Sequence, residues 1–174
     1  LRGGFVPGVT PRTSLARVLW SLGYADQARQ RCQEALALAR QADHLPTLAY
    51  AECFVGLVCL CCRDVMATRA HAEALLALAA AHHWPLRAAQ GCILRGWALA
   101  MHGEVSAGVA LLRQGVDSPH MGPENLRPQW LALLAEAYGE QVMVVAQTNE
   151  QVDDLVHRLA AEAPWLPVGR LSAV

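Results

Sequence analysis

Two strings recur along the chain at one interval. Glu34-Ala35-Leu36 is followed by His44-Leu45-Pro46, and 39 residues later Glu73-Ala74-Leu75 is followed by His83-Trp84-Pro85. The same offset carries Ala28 onto Ala67, and a slightly longer one carries Gly23 onto Gly103, with Gly108 and Gly115 where small residues are due. A repeat of this length constrains the fold more than any local motif. Each unit is then one supersecondary element that cannot bury its apolar face alone, so neighbours must stack.

Within a unit the pattern predicts a helix, a turn, a second helix with small residues seven apart, and a proline opening the next helix. Small residues let two helices approach closely. Pro46, Pro85 and Pro128 suit a first turn, where the missing N–H would have no partner. A further first-type helix is expected from about Pro128 through Trp130, Leu133, Leu134 and Ala137 to Tyr138, apolar at three- and four-residue spacing. The repeat is lost near Gly139. Val142-Met143-Val144-Val145-Ala146 is a β-type apolar run, open to strand or helix, and Thr148 with Gln151 forms a capping box. That box opens a helix over 148–163 with Val152, Leu155, Val156 and Leu159 on one face. The expected architecture is all-α: a helical repeat domain over 1–139 with about three and a half units, and a divergent tail over 140–174 whose helix caps the array.

Composition agrees and narrows the chemistry. Apolar residues make up 54% of the chain and aromatic ones 6%, and much of the apolar fraction is alanine, which favours closely packed helices. The formal charge is −1 and the basic residues are scattered, which argues against nucleic-acid binding by charge. All 14 basic residues are arginine, so this chain carries neither a Walker-type phosphate loop nor a Schiff-base lysine. The longest apolar run, Cys53 to Cys62, is about half of the ~20 residues that span a bilayer. No signal-peptide pattern opens the sequence. A soluble, cytoplasmic chain is expected, with no membrane contact and no cofactor.

Residues with chemical potential have structural readings beside functional ones. Cys53, Cys59, Cys61 and Cys62 lie in an apolar helical run and read as buried, reduced thiols. Zinc is the alternative, yet on a helix Cys59 and Cys62 share a face while Cys61 points away, so at most two converge. His44 and His83 occupy equivalent places before a proline and read as caps on the unpaired carbonyls of a helix end. His82 and His83 diverge as adjacent helical residues and lack a third ligand. Glu34 and Glu73 recur with the repeat and read as exposed positions rather than a paired acid and base. The connection from Asp117 to Leu126, with Gly122, Pro123 and then Arg127, is a surface loop or a lip over one end of a groove.

Gly23-Tyr24-Ala25-Asp26-Gln27-Ala28, then Cys32 and Ala35-Leu36, resembles the turn and second helix of a tetratricopeptide repeat, with Leu19-Trp20-Ser21-Leu22 completing its first helix. More narrowly, Pro7-Gly8-Val9, Leu22-Gly23-Tyr24, Glu34-Ala35-Leu36-Ala37-Leu38-Ala39, Arg95-Gly96-Trp97-Ala98 and Leu133-Leu134-Ala135-Glu136-Ala137-Tyr138-Gly139 resemble the carboxy-terminal repeats of bacterial multidomain adenylate-cyclase and predicted-ATPase regulators. This resemblance covers residues 5–139 or so. It implies a helical sensor or docking module attached to cyclase or ATPase domains, none of which is present in this sequence. In that architecture the first helices line a concave groove. Arg17, Trp20, Glu52, Gln90, Arg95, Trp97, Gln129 and Glu136 are then the candidate partner contacts, although for Trp20, Trp97 and Trp130 core packing is the favoured reading over groove exposure.

The tail has a different likeness. Val144-Val145-Ala146-Gln147-Thr148-Asn149-Glu150-Gln151-Val152-Asp153-Asp154-Leu155 resembles motif Ia of a superfamily-one helicase, in which this segment touches the backbone of single-stranded nucleic acid. The phosphate loop and the acidic metal-holding motif of a helicase are missing, so the likeness implies neither ATP hydrolysis nor unwinding, and the segment reads as a fusion or truncation junction. Three functions follow in order. The first is a non-catalytic docking module for a partner peptide or domain; the second is a regulatory piece of a cyclase or ATPase signalling protein; the third is a tail in which Thr148 and Asn149 contact a phosphate. Homo-oligomerisation stays open, through pairing of the run at Val142 to Ala146.

Overall fold

Helix starts in this chain are written in short local signals. At His44 the ring Nδ1 accepts the backbone N–H of Thr47 at 3.3 Å, and Pro46 lies in the first turn of the helix that follows. At Asp64 the carboxylate Oδ1 accepts the Ala67 N–H at 3.0 Å. Both fill one of the donors that the first turn of any helix leaves unpaired. A computed structural model of the chain describes residues 6–121 together with Leu133 and Ala137. All of these lie in the first of the two units into which the chain divides, Leu1–Glu140 and Gln141–Val174. Six helices follow one another: α1 (Val9–Ser21), α2 (Ala25–Gln41), α3 (Leu45–Cys61), α4 (Val65–His82), α5 (Pro85–Met101) and α6 (Val105–Val116). The described residues are all-α, with no strand among them.

The helices keep strict time. The second helix of each pair begins at Ala25, Val65 and Val105, and the first ends at Ser21, Cys61 and Met101, every 40 residues. Left-handed backbone recurs with the same period, at Gly23, Arg63 and Gly103 within the pairs and at Asp43 and His83 between them. Two of the three intra-pair turns thus use glycine, the residue that enters this region without a steric penalty.

This period corrects the offset of 39 drawn from the recurring strings. Pro46 is the second residue of α3, whereas Pro85 is the first of α5. His44 caps the start of α3 instead of the end of α2, and His83 closes α4 in a left-handed conformation while Trp84 stands at the N-cap of α5. One residue is 100° of helical rotation, so the shift decides what faces inward. The counterpart of Ala28 is buried Thr68, not half-buried Ala67, and the next is buried Gly108. Glu34 and Glu73 are likewise not equivalent: Glu34 is held by Arg31 at 2.8 Å and Arg12 at 3.6 Å, Glu73 by Arg69 at 2.9 Å.

Small residues sit where helices cross within a pair: Ala16 with Ala28, Gly56 with Thr68, Gly96 with Gly108, all buried. In the third pair the backbones touch. A methyl on Gly96 would stand 2.6 Å from the Gly108 carbonyl oxygen, and one on Gly108 would stand 2.5 Å from the Gly96 carbonyl oxygen. Each pair packs only on its sequence neighbours, α1 on α2 and α3, α3 on α4 and α5, α5 on α6, with α2 against α3 and α4 against α5. The largest core cluster joins Leu75, Ile93, Leu94, Trp97 and Leu112, and takes in Leu133 and Ala137. Those two helical residues are four apart, hence on one face. The rest of the expected helix from Pro128, including Gln129, Trp130 and Glu136, lies outside the described residues. So do the connection beyond Met121, the run at Val142 to Ala146, the helix over 148–163 and the Thr148-Asn149 pair. Among the described residues no helix is long and apolar enough to cross a membrane.

Candidate functional site

Arg17 and Trp20 lie three residues apart on α1, hence on one side of it, and both are exposed. With Ser21 they face Leu57, Val58 and Cys61 of α3 across a slot of about 80 Å³. Burial pushes the Cys61 thiol above its ordinary value, Cys62 adds to this, and the Arg17 guanidinium pulls the other way. The slot therefore offers a cation, an indole face, a hydroxyl and an apolar floor, a set that suits an acidic or aromatic side chain and has no acid–base pair.

The other described candidates do not join them. Trp97 is wholly buried beneath the Arg63 guanidinium, 5.9 Å from its ring centre. Gln90 is buried too and its Oε1 accepts from Arg87 at 2.8 Å. Arg95 is half-buried, and its Nε has no hydrogen-bond partner among the described residues. Glu52 is buried on the side of α3 that meets α4, where Oε2 lies 2.6 Å from His71 Nδ1 and Oε1 lies 3.5 Å from Arg40. Glu52 and Gln90 were candidates for a groove and lie in the interior instead, while Trp97 is in the core, the favoured reading for it from sequence. α3 is apolar nearly all round, so periodicity within it does not mark which way Glu52 points. His71, 19 residues further along, decides that.

Two hollows were not foreseen. The larger, about 370 Å³ and mostly apolar, is lined by Pro46, Trp84, Pro85, Leu86, Arg87 and His120. Its sequence signal was the proline at the start of both α3 and α5, with Trp84 stacked on His82 at 4.9 Å. The second, about 200 Å³, runs between α2 and α4 over a floor of Val55, Val58 and Cys59. Cys32 borders it with a thiol pushed up to about 12, first by burial and then by the neighbouring Cys59 and Cys62. Burial takes Cys59 to about 11, with Asp64 adding to the rise, and Cys53, fully interior, to about 11. Such thiols stay protonated at neutral pH and are poor nucleophiles. Burial is uneven among them: Cys32, Cys53 and Cys92 are buried, whereas Cys59, Cys61 and Cys62 are half-buried, which corrects the reading of the whole run as interior. Among the described residues no three His, Cys, Asp or Glu side chains gather closely enough to hold a metal ion.

Comparison with family models, with curated proteins and with solved structures finds no match to this chain.

Proposed function

We propose that the chain is a tetratricopeptide-like α-solenoid acting in the cytoplasm as a non-catalytic interaction module, which takes a partner peptide or domain on the face formed by its first helices. Three features support the solenoid reading: the 40-residue spacing, the contacts restricted to neighbouring pairs, and small residues at Ala16, Ala28 and Ala35 matched by Gly96, Gly108 and Gly115. The observation that carries the binding reading is the Arg17–Trp20 slot. It combines two of the three residue types enriched at the energetic centres of protein interfaces, beside an apolar floor contributed by the next helix pair.

A photo-crosslinking residue at position 20, compared with one at position 66 on the exposed side of α4, tests the reading in cytosolic extract. A partner captured from position 20 and not from position 66 is the expected result, and Arg17→Glu should weaken that capture by about tenfold. Equal capture from both positions, or none from position 20, would sink it.

A further inference from the structure

The outer side of α1 carries Pro11, Leu15 and Val18, continued by Leu22 just past its end, at three- and four-residue spacing that puts them in one stripe. Leu15 is 44%, Val18 53% and Leu22 64% exposed. Large aliphatic side chains bared in a row along one helix mark an interaction surface. The internal repeat tells what covers such a surface. In α3 the counterparts of Pro11, Leu15 and Val18 are Ala51, Val55 and Val58, and they are 0%, 4% and 2% exposed. They are buried because the preceding pair lies on them, through Ala16, Ala28 and Cys32 in one cluster and Ala35, Leu36 and Ala39 in another. In α5 the counterpart of Ala51 is Gly91, so close to α4 that a methyl on it would stand 2.7 Å from Leu76 Cγ. Leu36 and Leu76 are themselves counterparts, one on α2 and one on α4. The interface thus forms in full on α3 and in part on α5, where Arg95 stands at the place of Leu15, and its first-helix half stands bare at α1.

We propose that the α1 stripe is a docking surface for a further helix pair, whose second helix presents small residues and one leucine as α2 and α4 do. A second copy of this chain does not offer such a helix among its described residues, because α3 already covers α2 and α5 already covers α4. The cluster that holds Leu112 and Val116 of α6 also takes in Leu133 and Ala137. Docking at this stripe is independent of whatever the Arg17–Trp20 slot binds.

The probe is a copy of residues 5–44 inserted between residues 4 and 5 of the full chain, which sets an added pair ahead of α1 in the 40-residue period. Melting temperature, amide exchange over Val9–Ser21 of the original α1, and the mass of the unextended chain in solution are read together. The unextended chain should be monomeric. The insertion should raise the melting temperature by about 4 °C and slow exchange in the original α1 by about tenfold. Leu15→Ser with Val18→Ser in that α1 should abolish both gains, while the same two changes leave the unextended chain at its original melting temperature. No gain on insertion, or a gain that survives the double substitution, overturns the proposal. So does a dimer of the unextended chain that dissociates on Leu15→Ser with Val18→Ser, since the stripe would then belong to a second copy.

Discussion

Gly108→Ala probes the closest approach in the fold. The added methyl would lie 2.5 Å from the Gly96 carbonyl oxygen, 2.6 Å from the Ala100 amide nitrogen and 2.8 Å from Ala100 Cβ. Ordinary contact begins near 3.4 Å, and two of these three atoms are backbone, so no side chain can swing aside. α5 and α6 must part, which loosens the packing of Leu112 and Trp97 that depends on their spacing. Overpacking of this kind costs about 1–3 kcal/mol, and rigid backbone neighbours place it at the upper end. Alanine returns about 1 kcal/mol through helix propensity. The net loss is then about 2 kcal/mol, or roughly a 1 M lower urea midpoint for a chain with a slope near 2 kcal/mol/M. Far-ultraviolet circular dichroism through a urea series measures it. Gly96→Ala meets the same contact from the other side, at 2.6 Å from the Gly108 carbonyl oxygen. The double variant should therefore lose less than the sum of the two single losses. A Gly108→Ala chain as stable as the original, or additive losses in the double variant, would refute a backbone-to-backbone crossing of α5 and α6.

Two further outcomes follow from the interior. Among the described residues His71→Ala leaves the buried Glu52 carboxylate with Arg40, itself 62% exposed at its side chain, as its remaining ion-pair partner, and should cost about 2–4 kcal/mol, whereas Arg40→Ala should cost less than about 1 kcal/mol; urea midpoints in the opposite order would refute the pairing. Alkaline pH should destabilise the chain through Cys32: its folded value of about 12 lies above the ordinary 9.0, so its contribution is full below about pH 9 and fades as pH rises toward 12. Urea midpoints taken from about pH 8 to about pH 11 should fall less steeply in Cys32→Ala than in the original chain, and parallel curves would remove Cys32 from the account.

Helix type, helix pairing and turn chemistry were legible in the residues themselves. Gly23 and Gly103 take the left-handed turns, Pro46 and Pro85 open α3 and α5, and the apolar spacing around Leu19, Trp97 and Leu112 is helical throughout. These are local effects, decided by one residue's allowed backbone angles or by its missing N–H, so no distant partner is needed to read them. The exact period was not legible. Identical strings such as Glu-Ala-Leu and His-x-Pro attract the eye, but Glu34 and Glu73 sit on partly exposed faces where identity is free to drift by a residue.

Tertiary packing fixed the period at 40, because inward positions are chosen by volume and not by name. Ala28, Thr68 and Gly108 share one buried place with three different side chains. Thr68 fits there by returning its hydroxyl to the Asp64 carbonyl at 2.7 Å, and Gly108 by letting α5 come into backbone contact. The same limit separates the candidate site into what sequence supplied and what it did not. Arg17 and Trp20 both stand on the accessible side of α1. Glu52 and Trp97 went inward where side chains from other segments, His71 of α4 and Arg63 after α3, pair with or cover them, whereas Gln90 takes its partner, Arg87, from one turn earlier on α5 itself. A polar residue in an apolar helix is stable inside only when it finds a partner, and for Glu52 that partner comes from another helix, so its placement is settled only when the pairs pack.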